Sequence, residues 1–212
     1  MSFQNIFYYI VKNFFLVVFT LYNRLEVRGL SNVPRGSAMI VASNHASNID
    51  PPLIGGAYPA RLRYLAKESL FRVPVLGFLI RALGAIPVTR EDSQRAGAVM
   101  KLMLARLRDG ESVLIFPEGS RSRDGRLKPL EGGVALLSVK SGVPVLPVFV
   151  GGSHGVCPAG KFFPRPVKLT LTFSRPIFPS DEPIGDREKR ERLMRELEGE
   201  LVAMAGGACG DD

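Results

Sequence analysis

The stretch Met39-Ile40-Val41-Ala42-Ser43-Asn44-His45-Ala46-Ser47-Asn48-Ile49-Asp50-Pro51-Pro52 decides how the chain folds. Its apolar run, Met39-Ile40-Val41, lacks the alternation of a half-exposed strand. It reads as a strand buried on both faces, as in a parallel or mixed sheet, and the strand is expected over Ala38–Ser43. A polar turn follows, and Asp50-Pro51-Pro52 reads as the start of a helix. The two prolines preset φ near helical values and lack N–H groups that a first turn leaves unsatisfied anyway. Asp50 fits the N-cap of that helix.

A second stretch has the same design. Val113-Leu114-Ile115 marks a buried strand over Ser112–Phe116, which empties into the polar turn Phe116-Pro117-Glu118-Gly119-Ser120-Arg121-Ser122. Working outward, further strands are expected at Leu25–Arg28, Leu62–Ala66, Val145–Val150 and Lys168–Phe173. Helices are expected at Val75–Leu83, Ser93–Arg108, Leu130–Lys140 and Asp186–Ala205. In the last helix Leu193, Leu197 and Leu201 recur every four residues among Arg, Lys and Glu. That is an amphipathic helix whose mixed charges face water rather than nucleic acid. Short apolar runs alternating with helical patterns predict an α/β fold with a mixed, largely parallel central sheet flanked by helices.

The 212 residues, 46% hydrophobic and 23% charged, suffice for one domain with a sizeable core. With no repeat or low-complexity tract, residues 24–212 are expected to form that domain, frayed at 206–212. Residues 1–23 stand apart. Phe3–Tyr22 is rich in aromatics, but Gln4, Asn5, Lys12 and Asn13 interrupt it, and Lys12 would fall near the middle of a spanning helix. Such a helix wants about 20 predominantly apolar residues. A signal peptide would place its charge first and a small-residue cleavage site last, and this segment does neither. The expectation is an interfacial, membrane-binding helix or helix pair with its aromatics turned to the lipid. A core helix of a soluble protein is the competing reading.

The formal net charge of +8 calls for an acidic partner: nucleic acid, an anionic lipid surface or a phosphorylated substrate. Many soluble proteins are also basic with no specific partner. Aromatics concentrate at the N-terminus and Trp is absent, so a base-stacking surface is not indicated. Cys157 and Cys209 lie far apart, and with two histidines in the chain a Cys/His zinc site has too few ligands at usable spacing. Neither a metal nor a cofactor is expected. A reducing compartment is the simpler assumption for the two thiols.

The polar turns carry the chemistry. On a regular helix His45 and Asp50 would face different ways, but the loop Ala46–Ile49 lets the chain curl so that they meet. A histidine held by a carboxylate has its tautomer fixed and its basicity raised, which equips it to take a proton from an attacking alcohol. His45 also leaves a central strand where open α/β sheets place ligands. In the second turn Pro117 stops the strand, Gly119 permits a sharp bend, and Glu118 and Arg121 are delivered at the exit. Arg121, Arg123, Arg126 and Lys128 continue the positive charge, and guanidinium groups bind phosphate bidentately.

Two other motifs are decoys. Gly151-Gly152-Ser153-His154-Gly155 fits G-x-S-x-G, but such a hydrolase needs its acid and then its histidine later in the chain, and only the adjacent His154 follows. Gly155–Lys161 fits G-x-x-x-x-G-K, but Phe162 replaces the metal-binding Ser/Thr and Pro158 removes an amide from the cradle.

Taken together, these segments resemble the glycerolipid acyltransferases, most closely the 1-acyl-sn-glycerol-3-phosphate acyltransferases. Asn44, His45 and Asp50 match the family's N-H-x-x-x-x-D motif. Gly84-Ala85-Ile86-Pro87-Val88-Thr89-Arg90 is similar to its second motif, although Pro87-Val88 stand where the family often has a polar or acidic residue. Phe116–Ser122 match F-P-E-G-[ST]-R-S throughout. Val143-Pro144-Val145-Leu146-Pro147-Val148 is similar to the fourth motif, and Lys67 falls in an Ala-Lys-x-x-Leu stretch. The resemblance spans roughly residues 40–150.

It implies an α/β acyltransferase fold behind a membrane-binding N-terminal helical motif, and acyl transfer from acyl-CoA or acyl-carrier protein to the sn-2 hydroxyl of lysophosphatidic acid, giving phosphatidic acid. By the same resemblance His45 is the general base and Asp50 its orienting partner. Lys67, Arg90 and Arg121 bind the acceptor phosphate, while Glu118, Gly119 and Ser120 shape that pocket. The chain is then expected at an anionic membrane surface, monotopic or peripheral, on the cytoplasmic face of the inner membrane, with no nucleic-acid partner. Transfer to a different lysolipid is a variant of this expectation. A thioesterase using the same His/Asp pair on water is a rival, as is a basic binding module whose signature would be steep salt dependence without turnover.

Overall fold

In this computed structural model, which describes residues 3–89, 93–156 and 164–208, the chain runs α1 (Phe3–Tyr22), β1 (Glu26–Arg28), β2 (Ile40–Ser43), α2 (Asp50–Ala57), β3 (Leu62–Lys67), α3 (Pro74–Ala82), β4 (Ala85–Val88), α4 (Ser93–Arg108), β5 (Ser112–Ile115), α5 (Gly133–Ser141), β6 (Val145–Gly151), α6 (Ser153–Val156), β7 (Thr170–Phe173) and α7 (Asp186–Ala208). The strands form one seven-stranded sheet in the order β1-β7-β6-β2-β5-β3-β4. Strands β2 to β6 are mutually parallel. β7 runs antiparallel to β6, with β1 parallel to β7. The sheet is thus mixed and largely parallel, as the buried runs predict.

The opening stretch explains the layering. Along β2 successive side chains point to opposite faces. Val41 joins a core under α1 and α2 that includes Val11, Phe19, Leu53 and Ile54. Ile40 and Ala42 join a second core under α4, α5 and α7 that includes Met103, Val134, Leu137, Leu193, Leu197 and Leu201. Both faces of the central strands are therefore dry, which is why the run contains no polar alternation.

Two departures have physical causes. Strand β4 was not expected from the sequence: it is four residues long and contains Pro87. It survives because it pairs with β3 on one side only, so the missing proline N–H interrupts no second ladder. Helix α5 begins at Gly133 rather than near Leu130, because the amide of Glu131 donates to Pro117 O at 2.7 Å and holds that segment to the second polar turn.

Helix α1 is a single helix whose two faces differ. Tyr8, Val11, Lys12 and Phe19 are buried on one side, and Ile10, Phe14, Val17 and Leu21 are exposed on the other. Lys12 Nζ donates to the carbonyl of Tyr58, which follows the last turn of α2, where a cation meets the negative end of the helix dipole. Its burial lowers the ammonium pKa. No helix among the described residues is long and apolar enough to cross a membrane.

Candidate active site

Five parallel strands place their carboxyl ends on one edge of the sheet, and the polar turns emerge there. β2 and β5 are neighbours, so the turn after each lies beside the other. Two hydrogen bonds lock them. The amide of Ser122 donates to His45 O at 2.7 Å, and the amide of His45 donates to Glu118 Oε1, also at 2.7 Å.

Asn44 starts the first turn. Its buried carboxamide takes the place of a peptide unit, donating to Val150 O at 2.9 Å and accepting from Val150 N at 2.7 Å. The side chain thereby continues the contact with β6 while the main chain peels away toward His45. Asn44 was read from the sequence as part of a motif, without this bracing role.

His45 and Asp50 meet. Nδ1 of His45 lies 2.8 Å from Asp50 Oδ2. The same oxygen accepts the amides of Ala46 at 2.8 Å and Ser47 at 2.7 Å. An oxygen that already accepts two amide N–H groups is an acceptor toward the ring as well, so Nδ1 carries the proton and Nε2 presents its lone pair. The Asp50 side chain is fully buried, while that of His45 stays 11% exposed. The imidazole also stacks on the ring of Phe116, with centroids 4.0 Å apart and planes inclined by 18°. Phe116 was read as the end of a strand and the first residue of the F-P-E-G motif, without this contact to the imidazole; its neighbour Pro117, which ends the ladder, is the signal that it faces the turn.

The N-cap expectation for Asp50 is corrected. The residue before α2 is Ile49, no side chain caps the helix, and Asp50 is the first helical residue. Its carboxylate turns backward onto its own approach loop. Local pattern cannot separate these cases, because forward capping and backward wrapping use the same residue type at a helix start.

Glu118 is buried, and both its oxygens hold backbone: Oε1 accepts from His45 N and Oε2 from Lys128 N at 3.0 Å. Desolvation raises its pKa, against the lowering effect of those two amides. It shapes the site from beneath by fixing the histidine and the basic loop relative to each other. Glu118→Gln would leave one oxygen for two amides and turn an NH₂ group against the other donor. Losing one such buried bond costs about 1–3 kcal/mol. We expect a melting temperature lower by about 2–10 °C and turnover reduced about tenfold or more. Unchanged melting and turnover would show the clamp to be idle.

Gly119 has φ 66°, a left-handed backbone conformation that L side chains rarely adopt, and a Cβ there would push aside the Glu131 carboxylate, so the bend favours glycine. The Ser120 hydroxyl accepts a bond from Lys128 Nζ. Arg121 is exposed and has no hydrogen-bond or ion-pair partner among the described residues. Lys67 ends β3, two strands from β2, so it lies roughly 10 Å from the His45 turn across the sheet. Arg90 lies outside the described residues, two positions beyond the end of β4.

A groove of about 480 Å³ runs along the carboxyl end of β4, lined by Glu68, Pro87, Val88, Val99 and Leu102. The Ser153 hydroxyl of the G-x-S-x-G decoy is sealed from solvent, the opposite of an exposed nucleophile. Among the described residues no cluster of His, Cys, Asp and Glu is arranged to hold a metal.

Comparison with known proteins gives a consistent set of matches. The model of the acyltransferase family matches residues 24–151. The chloroplastic 1-acyl-sn-glycerol-3-phosphate acyltransferase LPAT1 of Arabidopsis thaliana is 29% identical over 82% of this chain and 49% of its own length. The 1-acyl-sn-glycerol-3-phosphate acyltransferase of Bacillus subtilis is 27% identical over 88% of this chain and 89% of its own. The chain spans about half the length or less of the chloroplastic relatives it matches, 40% of one from Brassica napus and 49% of LPAT1. The crystal structure of the 1-acyl-sn-glycerophosphate (LPA) acyltransferase PlsC from Thermotoga maritima superposes with a TM-score of 0.74 at 29% identity, covering 92% of this chain and 80% of that one.

Proposed function

The chain belongs to the acyltransferase family, and from that premise we propose that it moves a fatty acyl group from acyl-CoA or acyl-carrier protein to the sn-2 hydroxyl of lysophosphatidic acid, giving phosphatidic acid. The observation that carries this reading is the 2.8 Å contact between His45 Nδ1 and a buried Asp50 oxygen, made at the sheet edge where the arginine-bearing turn is bonded to the same histidine's backbone. The acceptor is supported by the relatives, whose names specify 1-acyl-sn-glycerol-3-phosphate.

The chemistry follows from the tautomer. With Nδ1–H donated to Asp50, Nε2 removes the proton of the sn-2 hydroxyl as its oxygen attacks the thioester carbonyl. The carbon–sulfur bond breaks, and the imidazolium returns its proton to the departing thiolate. A thiolate leaves readily, so the step asks for a base and alignment rather than for a covalent intermediate on the enzyme. Asp50 stabilises the imidazolium while it lasts. Arg121, exposed and without a partner among the described residues, is suited to bidentate phosphate contact, and Lys67 supplies a second cation along the same edge. The largely apolar groove beside β4 fits an acyl chain.

Helix α1 serves in this reading as the membrane-binding segment. Its outward Ile10, Phe14, Val17 and Leu21 continue onto Val75 and Phe78 of α3, and the rings of Phe7 and Phe78 approach to 5.2 Å. A contiguous apolar face on a chain of net charge +8 favours an anionic leaflet, such as the cytoplasmic face of the inner membrane, over free solution. The protein would lie on that surface rather than span it.

The test is a purified-enzyme assay on vesicles containing lysophosphatidic acid, with acyl-CoA and acyl-carrier protein offered separately and the product identified by mass spectrometry. Phosphatidic acid should form, and the enzyme should float with the vesicles. Release of free fatty acid alone would sink the transferase reading.

A further inference from the structure

The assignment of His45 as base and Asp50 as its partner leaves half of the Asp50 carboxylate unexplained. Oδ2 accepts three N–H groups, from the His45 ring and from the amides of Ala46 and Ser47. Oδ1 is sealed from solvent and has no hydrogen-bond partner among the described residues. The same is true of the Ser47 hydroxyl. Ser47 and Asp50 are 3% and 0% exposed. They share one tight turn, in which Ser47 N donates to Asp50 Oδ2 at 2.7 Å and Asp50 N donates to Ser47 O at 3.2 Å. A buried donor and a buried acceptor thus belong to one tight turn beside the His45 imidazole, neither paired among the described residues. Native interiors rarely leave such groups unpaired, and each calls for an explanation.

We propose that Ser47 is a positioning residue of the His45–Asp50 pair, its hydroxyl donating to an enclosed water that donates in turn to Asp50 Oδ1. The two side chains supply the minimum of two polar partners that hold an interior water. The proposal rests on the reading of His45 as general base. Its consequence is electrostatic. Donors on both oxygens spread the carboxylate charge, whereas a carboxylate solvated on one side only is the stronger base. Without the Ser47 hydroxyl, Asp50 would hold the imidazolium more tightly and His45 would be harder to deprotonate.

Measured at a pH below the acid limb, Ser47→Ala should therefore lower kcat roughly three- to tenfold, because less of the imidazole is free of its proton, with little change in KM for the lysolipid. It should also move the acid limb of the kcat/KM profile upward by roughly half a unit to one unit. Ser47→Thr, which keeps the hydroxyl, should restore both, and a high-resolution crystal structure of the wild type should show a water bonded to Ser47 Oγ and Asp50 Oδ1. A Ser47→Ala enzyme with wild-type kcat and an unmoved limb would overturn the inference. So would a loss of kcat with an unmoved limb, which marks a merely structural role. His45→Ala separates the two levels: if it stays active the base reading falls, and if it is inactive while Ser47→Ala matches wild type, only the role of Ser47 falls.

Discussion

His45→Ala should lower turnover by about 10²–10⁴-fold, the usual contribution of a positioned general base, and leave the protein folded. Folding should survive because the groups around the ring keep other partners. Asp50 Oδ2 retains the amides of Ala46 and Ser47, and the bond from the residue-45 amide to Glu118 is made by backbone. What disappears is Nε2, the nitrogen proposed to accept the hydroxyl proton, together with the stacking contact to Phe116. The check is steady-state transfer to lysophosphatidic acid beside a thermal melt of the same preparation. A variant that keeps more than roughly a tenth of wild-type turnover with an unchanged melt removes His45 from the chemistry.

Arg121→Glu has the second largest expected effect, and it separates acyl transfer from hydrolysis. Charge-assisted hydrogen bonds contribute about 1.5–3 kcal/mol each, and reversal adds repulsion of the acceptor phosphate. kcat/KM for lysophosphatidic acid should fall about a hundredfold or more. The melting temperature should hardly change, because Arg121 is exposed and engages no partner among the described residues. A thioesterase using the same dyad would need no phosphate cradle. If thioester hydrolysis were the native activity, the variant would keep it in full, and the acceptor would have no reason to be a phospholipid.

The strands and most helices were legible because burial leaves its period in the sequence. Met39–Val41 and Val113–Ile115 read as doubly buried, and all but the half-buried Ile115 are; Leu193, Leu197 and Leu201 read as one face, and all three are buried. Strand β4 was illegible because Pro87 and its shortness argue against a strand unless it stands at an edge, and position in the sheet is not a local property. The late start of α5 has the same origin, since the amide of Glu131 is bound by a residue far away in sequence. Helix α1 was ambiguous between core and interface because one of its faces is packed and the other is apolar and exposed.

By itself the sequence determined the layered α/β architecture, the two polar turns at strand exits and the residue types they carry. Those depend on periodicity and turn chemistry within about ten residues of chain. Only the tertiary structure decided which turns meet and what each polar group binds. It turned Asp50 back onto its own loop, placed both Glu118 oxygens on the backbones of residues 45 and 128, and buried the Ser47 hydroxyl and one Asp50 oxygen without a partner among the described residues. The physical reason is that a hydrogen bond between distant segments depends on strand order and burial, and neither is written in the spacing of neighbouring residues.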